Sequence, residues 1–309
     1  MTQVPLSKLL VICGPTASGK SNLAVQLAQQ LNGEIINADS MQVYKGMDIG
    51  TAKLPHDQRG GIPHHLIDVA EPDQLFSAAD FVEAADAAIS DIASRGKLPI
   101  VVGGTGLYIR ALLYGLVDSP SGAGAVRARL QHEASVIGNI AMLEKLRAID
   151  PELAAQIHPN NLVRIIRGLE VYYLTGLPLS NYQRQHGFNN KRYNALQIGI
   201  KIEREELYNR IELRVNNMLA DGLVEEVRQL FSKGYRSNLK SMRSIGYKEI
   251  CAFLEGELTL DEALILIKRD TRRYAKRQLT WFNSNREIIW LEYPKNFAKI
   301  LSHACDFFE

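Results

Sequence analysis

The 309-residue sequence predicts an α/β protein, with a parallel β-sheet core flanked by helices and an all-helical insertion. Three observations support this fold class. Apolar, β-branched runs alternate with stretches of helical spacing, which is typical of a parallel sheet covered on both faces. The first apolar run leads into a glycine-rich loop and then a helix. Residues 117–125 are rich in turn formers and precede a long helical tract.

The first part of the core is predicted to alternate strands with helices. Strands are expected at 8–14, 34–40, 64–70 and 98–104, and helices at 21–31, 77–94 and 105–115. Ser77 is a candidate N-cap for the second of these helices. Because the strand at 98–104 is apolar throughout, we expect it to be buried on both faces.

The helical tract from 126 to 185 separates this part from the rest of the core. Strands are expected again at 195–203 and 287–293, with helices at 204–221, 223–233, 244–255 and 259–284 between them. We therefore expect two domains. A core domain comprises residues 1–119 and 191–309, and a helical insertion domain comprises residues 120–190.

Composition is that of an ordinary folded protein, with 46% hydrophobic residues, 23% charged residues and a net charge of +2. No apolar run approaches the roughly 20 residues that span a bilayer, so no membrane partner is expected. The odd number of widely spaced cysteines (Cys13, Cys251 and Cys305) argues against a disulfide framework or a structural zinc site. These features fit a cytoplasmic protein, which we expect to be a monomer without an obligate protein partner.

A phosphate-binding loop follows the first strand. Residues 14–21 match the pattern G-x-x-x-x-G-K-[ST] in the required strand–loop–helix context. Inward-pointing N–H groups and the positive end of the helix dipole favour an anion. Lys20 adds a charge, and Ser21 offers a hydroxyl to Mg²⁺. The predicted diphosphate- or nucleotide-binding residues of this P-loop NTPase-like core are Gly14, Pro15, Thr16, Ala17, Ser18, Gly19, Lys20 and Ser21.

The chemistry is not that of a GTPase or a motor ATPase. The one Asn-Lys pair, at Asn190, lacks the Asn-Lys-x-Asp continuation that reads guanine, and the strand at 98–104 ends in two glycines instead of an acid. Asp39 instead stands at the carboxyl end of the second strand, where such folds bind ligands. It is able to bind Mg²⁺ through water or act as a general base, and a turn-capping role is the alternative.

Two further residues are placed near the same strand ends. Thr105, in GGTGLY, is expected to direct its hydroxyl and N–H at the crevice, and a purely structural turn is the alternative. Gln42 is able to contact an adenine edge at two points through its amide.

Three basic segments, at 159–192, 236–248 and 268–277, indicate a polyanionic partner. In the last of them, Arg269, Arg273 and Arg277 form one stripe and Lys268, Arg272 and Lys276 form its neighbour. Such faces suit phosphate contacts, although a salt-bridged surface helix is the alternative. A separate seven-residue spacing predicts a packing stripe of Ile267, Tyr274 and Trp281.

Together these motifs resemble one enzyme family. The segments GPTASGKS, NADSMQVYKGMDIGTAK, PHHLIDV, VVGGTGLYIRAL, MRSIGYKE and RRYAKRQLTWF, in this order, are similar to those of the bacterial tRNA dimethylallyltransferases, also called tRNA isopentenyltransferases. The resemblance runs from about residue 8 to residue 284. It implies transfer of a dimethylallyl group from dimethylallyl diphosphate to N6 of adenosine 37 in tRNA, with release of diphosphate.

The resemblance also implies residue roles. Asp39 is the general base, Thr105 and Arg214 help to hold the diphosphate, and Mg²⁺ binds at Ser21. The insertion is implied to clasp the anticodon stem-loop of tRNA. The implied tRNA contacts are Asp39, Ser40, Met41, Gln42, Arg127, Val163, Arg164, Ile165, Ile166, Arg167, Met242, Arg243, Ser244, Ile245, Gly246, Tyr247 and Lys248, together with Arg273 and Arg277 of the basic helix.

Three other functions would each explain part of the sequence. A P-loop kinase of a nucleoside or small metabolite explains the loop and the sheet, but has no use for three basic segments. An adenylate isopentenyltransferase acts on a free nucleotide and needs neither the insertion nor the basic helix. A non-catalytic RNA-binding protein predicts affinity for tRNA without any product.

Overall fold

The computed structural model describes residues 6–119, 124–188 and 190–309. The chain divides into two compact units, Met1–Leu113 with Arg192–Glu309, and Tyr114–Lys191. The larger unit contains the sheet, and the smaller one is built from helices. Across the described residues, we find no helix with the length and apolar character needed to cross a membrane.

The sheet of the larger unit has six strands in the order β3-β2-β4-β1-β5-β6. All neighbouring strands are parallel. Its strands are β1 (Lys8–Cys13), β2 (Gly33–Asn37), β3 (His64–His65), β4 (Leu98–Gly103), β5 (Asn194–Lys201) and β6 (Ile288–Glu292). This topology confirms the predicted fold class. Because β2, β4 and β1 are neighbours, the segments that follow them meet at one edge of the sheet.

Three helices connect the first strands: α1 (Lys20–Gln30), α2 (Ala78–Ser94) and α3 (Gly106–Tyr114). Leu10 and Ile12 of β1 pack with Leu23 and Leu27 of α1 in one fully buried cluster. Apolar burial of this kind stabilises the strand–loop–helix unit. Ser77 caps α2 as expected, since its hydroxyl accepts the N–H groups of residues 79 and 80.

The smaller unit contains α4 (Gly124–Ile149), α5 (Pro151–Ala154), α6 (Leu162–Thr175) and α7 (Leu179–His186). Its core is a single apolar cluster that includes Leu130, Leu146, Ile165 and Leu169. Helix α4 is kinked at Gly138, whose φ of 80° and ψ of 165° lie outside the helical region.

The larger unit then continues with α8 (Arg204–Ala220), α9 (Leu223–Ser232), α10 (Tyr247–Leu254), α11 (Leu260–Asn283) and α12 (Phe297–Phe308). Four elements differ from the sequence prediction by three residues or more. Strand β2 ends at Asn37 instead of residue 40. Helix α12 was not predicted. The third strand ends at His65, because Leu66 and Asp68 have positive φ angles of 62° and 57°. Helix α10 begins three residues later than predicted, after Gly246 at a φ of 95°.

Candidate active site

The phosphate-binding loop connects β1 to α1 and turns sharply inward. Ala17 and Gly19 adopt left-handed conformations, with φ angles of 63° and 93°. The Lys20 Nζ donates a 2.6 Å hydrogen bond to the carbonyl of Pro15, so this side chain folds back across the loop. The Ser18 hydroxyl is buried without a hydrogen-bond partner in the described part of the chain. The loop therefore directs donor groups into the space enclosed by its own backbone.

Two half-buried cations lie at this loop. The Arg214 guanidinium, from α8, donates to the Thr16 hydroxyl at 3.4 Å. Burial, together with the charge of Arg214, lowers the pKa of Lys20 to about 8, and Asp39 opposes the change. Burial also lowers the pKa of Arg214, again opposed by Asp39. Removal from water is the main cause of both shifts, and an anion bound beside these two cations would favour their charged forms.

Gln278 of α11 joins the phosphate-binding loop to the segment after β4. Its Oε1 accepts the Thr16 N–H at 2.8 Å, and its Nε2 donates to the Gly104 carbonyl at 2.9 Å. Only 5% of Gln278 is exposed. A side chain at position 104 would collide with the Gln278 amide, which explains the glycine there. The sequence analysis did not identify Gln278. Its position four residues after Tyr274, on the helix face predicted for packing, could have indicated that this side chain is buried.

Asp39 lies in a tight turn after β2. Its Oδ1 accepts the Met41 N–H at 2.9 Å, so one carboxylate oxygen caps the turn and the other takes no part in that bond. The Thr105 hydroxyl accepts the Ser40 N–H at 3.0 Å and lies 3.3 Å from the Ser40 hydroxyl. The Thr105 N–H donates to Ala38 at 3.2 Å. Thr105 therefore fixes the turn that presents Asp39.

A cleft of about 940 Å³ brings these groups together. Its lining includes the phosphate-binding loop from Thr16 to Ser21, together with Arg214, Gln278 and Asp39. It also includes residues 48–56, which we call the cleft loop, with the exception of Gly50. Thr105 does not line the cleft: its hydroxyl and N–H, which were expected to face the crevice, bond to the turn at residues 38–40 instead. The cleft is larger than a diphosphate requires, which leaves room for a second reactant.

Gln42 has a different role from the predicted one. Its Nε2 donates to the carbonyls of Thr51 and Ala52, at 2.9 and 3.3 Å. Because the amide nitrogen already donates to the cleft loop, it is not free for the predicted two-point contact with an adenine edge, and that prediction is wrong. Gln42 instead connects the turn after Asp39 to the cleft loop.

Glu226, which sequence reasoning also missed, anchors the cleft loop from α9. Its Oε2 accepts the N–H groups of Asp48 and Ile49 at 2.9 and 2.7 Å. Its Oε1 accepts the Gly50 N–H at 3.1 Å and the Tyr247 hydroxyl at 2.6 Å. One nearly buried carboxylate thus satisfies four donors and joins α9 and α10 to the cleft loop.

Several implied tRNA contacts are buried. The side chains of Met242 and Tyr247 have no exposed surface, and Gly246 is buried beside them. In the smaller unit, Ile165 and Ile166 pack in the core. The prediction that these four side chains and Gly246 contact RNA directly is therefore wrong, because they are buried in the packed interior.

Other implied contacts remain accessible. Arg243 and Lys248 are exposed, whereas Ser244 and Ile245 are half-buried. In the smaller unit, Val163 and Arg164 are exposed on α6. Two arginines there share one acceptor, since the buried Glu170 carboxylate accepts from Arg127 at 2.7 Å and from Arg167 at 2.9 Å.

The basic face of α11 is partly a salt-bridged surface and partly a set of cations exposed to solvent, which are the two alternatives that its charge pattern allowed. Asp270 accepts from Arg269 at 2.9 Å, and from Lys248 of α10 at 2.9 Å. The hydrogen bond from Arg269 contributes most to lowering the pKa of Asp270 to about 2. The exposed Arg273 also reaches Asp270, at 3.5 Å, whereas Arg277 is exposed with its guanidinium over the Tyr274 ring at 5.7 Å. The stripe is thus salt-bridged at Arg269 and Arg273, while Arg277 presents its cation to solvent beside Tyr274.

Comparison with known proteins agrees with this geometry. A family-wide sequence profile described as IPP transferase matches residues 42–285, and one described as isopentenyl transferase matches residues 7–63. The chain is 66% identical to tRNA dimethylallyltransferase 1 of Pelobacter propionicus, over the full length of both chains. It is 53% identical to the tRNA dimethylallyltransferase of Geobacter sulfurreducens, over 98% of this chain and 97% of that one.

Solved structures give the same result. A tRNA isopentenylpyrophosphate transferase from Bacillus halodurans aligns with a TM-score of 0.73 at 43% identity, covering 97% of this chain and 96% of that chain. A eukaryotic dimethylallyltransferase, determined acting on tRNA, aligns with a TM-score of 0.77 at 32% identity, covering 93% and 74%. With this match in sequence and fold, and with an anion-binding loop facing a strand-end carboxylate, the chain belongs to the IPP transferase family.

Proposed function

We propose that this protein transfers a dimethylallyl group from dimethylallyl diphosphate to N6 of adenosine 37 in the anticodon loop of tRNA, releasing diphosphate. The observation that carries the proposal is a cleft lined by both the phosphate-binding loop, with its two cations, and Asp39. Family membership supplies the reaction class, and the cleft supplies a place for both reactants.

The reaction forms one bond and breaks one. The lone pair of the adenine N6 attacks the carbon of the donor that carries oxygen, and the carbon–oxygen bond breaks, leaving both of its electrons on the diphosphate. The N6 nitrogen loses a proton, which Asp39 accepts as general base. Because an exocyclic amine is a poor nucleophile, a carboxylate held rigidly by its turn raises the rate by positioning as well as by proton transfer.

The leaving group gains negative charge as its bond to carbon breaks. The loop N–H groups, Lys20 and Arg214 are already in place to stabilise that charge, and their burial strengthens the interaction. The hydrogen bonds from Gln278 hold the loop in register with the segment after β4, so the anion site and Asp39 keep their spacing.

The donor set also fits Mg²⁺. Ser21 lies exposed at the first turn of α1 and lines the cleft with Asp39. Within the described residues there is no group of three or more acidic, histidine or cysteine side chains that would form an all-protein metal site. A diphosphate would therefore have to complete the coordination, as is usual for Mg²⁺. When bound, the ion would neutralise charge on the leaving group, with Ser21 as its protein ligand.

The RNA contacts are proposed on the exposed cations. Arg243, Lys248 and Arg277 are accessible in the larger unit, and Arg164 is accessible in the smaller one, next to the exposed apolar Val163. Cations of this kind bind phosphates without reading sequence. Because a stacked adenine cannot reach Asp39 within the cleft, the base has to be extruded from the loop, at a cost of a few kcal/mol.

The test is direct. Purified protein is incubated with Mg²⁺, dimethylallyl diphosphate and an anticodon stem-loop RNA, and the RNA mass is measured. We expect a gain of one dimethylallyl group at adenosine 37, and an RNA of unchanged mass would refute the proposal. Parallel reactions with adenosine monophosphate as acceptor, or with ATP and no RNA, would reveal an adenylate isopentenyltransferase or a kinase instead.

Asp39→Asn tests the assigned base. Asparagine keeps the oxygen that accepts the Met41 N–H and loses the ability to take a proton. We expect the transfer rate to fall about 100-fold or more, the range of general base catalysis, with RNA binding unchanged. Asp73→Asn, at an exposed carboxylate outside the cleft lining, is the matched control. Equal losses of binding and rate would instead assign Asp39 a positioning role.

A further inference from the structure

Trp281 fulfils only part of the packing role that its seven-residue spacing predicted. Its side chain is on α11 with 42% of the residue exposed, whereas Ile267, two heptads earlier, is buried. Tryptophan is highly buried on average, so the exposed part of this ring is available for a further contact. The neighbouring Leu107 is also exposed, at 50%.

The indole ring is fixed beside the active site. It packs directly on Gly106, where any side chain would collide with the ring. Gly106 immediately follows Thr105, whose hydroxyl holds the turn that presents Asp39. Three residues before Trp281, Gln278 reaches the phosphate-binding loop. The exposed ring therefore stands next to the segment that positions the general base.

The same helix face carries charge. Arg273, Arg277 and Trp281 follow one another at four-residue intervals, so they lie along one side of α11, and all three are exposed. The row spans about 12 Å at 1.5 Å per residue. From 268 to 277 the helix has six basic residues and one acid, Asp270. This charge favours a polyanion over an apolar protein surface as the occupant.

We propose that Trp281 is a stacking platform for an unpaired RNA base next to the extruded adenosine, with Arg273 and Arg277 holding the phosphates on that side. This inference rests on the proposed function, because it takes an anticodon loop as the substrate. Every base has a flat face that stacks on an indole, so the contact holds the strand without selecting a sequence. A base held there would keep the adenosine from returning to the helical stack.

Fluorescence tests the contact directly, because the chain has two tryptophans. In the Trp290→Phe protein, Trp281 is the remaining emitter. We expect saturating anticodon stem-loop RNA to quench its emission strongly, and an RNA whose neighbouring base is replaced by an abasic residue to quench it less. Quenching that is absent while the RNA binds and is prenylated would overturn the platform and leave the proposed function intact.

Binding measurements on the full chain cover the case in which Trp290→Phe does not fold. Trp281→Ala should raise the Kd for the RNA about tenfold, the loss of one base–aromatic stack of about 1.4 kcal/mol. Trp281→Phe should recover most of it, and the KM for dimethylallyl diphosphate should not change. Ile265→Ala, exposed on the same helix but about 24 Å away, is the control. Equal effects of Trp281→Ala and Ile265→Ala, or no loss in Trp281→Ala, would refute the proposal.

Discussion

Gln278 gives the sharpest test of how the cleft is held together. The side chain is 5% exposed and makes two hydrogen bonds, one to each of the segments that follow β1 and β4. Gln278→Ala removes both and leaves the Thr16 N–H and the Gly104 carbonyl buried without partners. At about 1–3 kcal/mol for each of the two unsatisfied groups, the free energy of unfolding should fall by about 2–6 kcal/mol.

The catalytic effect should exceed the effect on stability. Once the two segments lose their common anchor, the anion site and Asp39 no longer keep a fixed spacing, and a misplacement near 1 Å costs on the order of 100-fold in rate. We therefore expect kcat/KM to fall about 100-fold, measured as prenylated RNA under conditions where the variant is fully folded. Gln229→Ala, at an exposed glutamine of α9, provides the control.

Gln278→Glu separates the two bonds. It keeps an oxygen for the Thr16 N–H but places a carboxylate against the Gly104 carbonyl and near the diphosphate, so donor binding should weaken more than in Gln278→Ala. If urea unfolding shows a loss below about 0.5 kcal/mol in Gln278→Ala, together with normal activity, the two bonds do not hold the site and the reasoning fails.

Two further predictions concern the cleft walls. Lys20 has a pKa near 8 in the free protein, below its ordinary value of 10.5. It therefore loses its proton as the pH rises through 8, and the affinity for dimethylallyl diphosphate should fall by up to about tenfold per pH unit above that point. The Lys20→Met protein should bind the donor weakly and without this pH dependence, and an identical pH profile in both proteins would contradict the assignment. The same shift means that Lys20 makes the free protein more stable as pH rises from about 8 to 10.5, since the unfolded chain then binds more protons. Glu226→Gln leaves one oxygen for four donors and sets an amide against backbone N–H groups, so the free energy of unfolding should fall by about 2–4 kcal/mol. Tyr247→Phe removes one of the four hydrogen bonds, so the free energy of unfolding should fall by about 1 kcal/mol. Equal losses in urea unfolding would show that the carboxylate does not anchor the cleft loop.

The sequence by itself determined the strand–loop–helix unit and the parallel sheet. Apolar runs ending in glycine, and the spacing from Gly14 to Ser21, are local signals, because backbone conformation and hydrogen bonding within a few residues decide them. The position of Asp39 at a strand end followed from the same local pattern. Even there, the predicted third strand was too long, because nothing in the sequence indicates the positive φ angles at Leu66 and Asp68.

Only the tertiary structure decided which distant residues meet. Gln278 contacts Thr16 across 262 positions, and Glu226 contacts the cleft loop across about 177. Their residue types are common on helix surfaces, so nothing local distinguishes them from solvated side chains. Burial likewise separated Tyr247, which is enclosed, from Lys248, which is exposed, within one motif. Packing fixes these outcomes because each depends on the whole arrangement of helices around the sheet, which no short stretch of sequence contains.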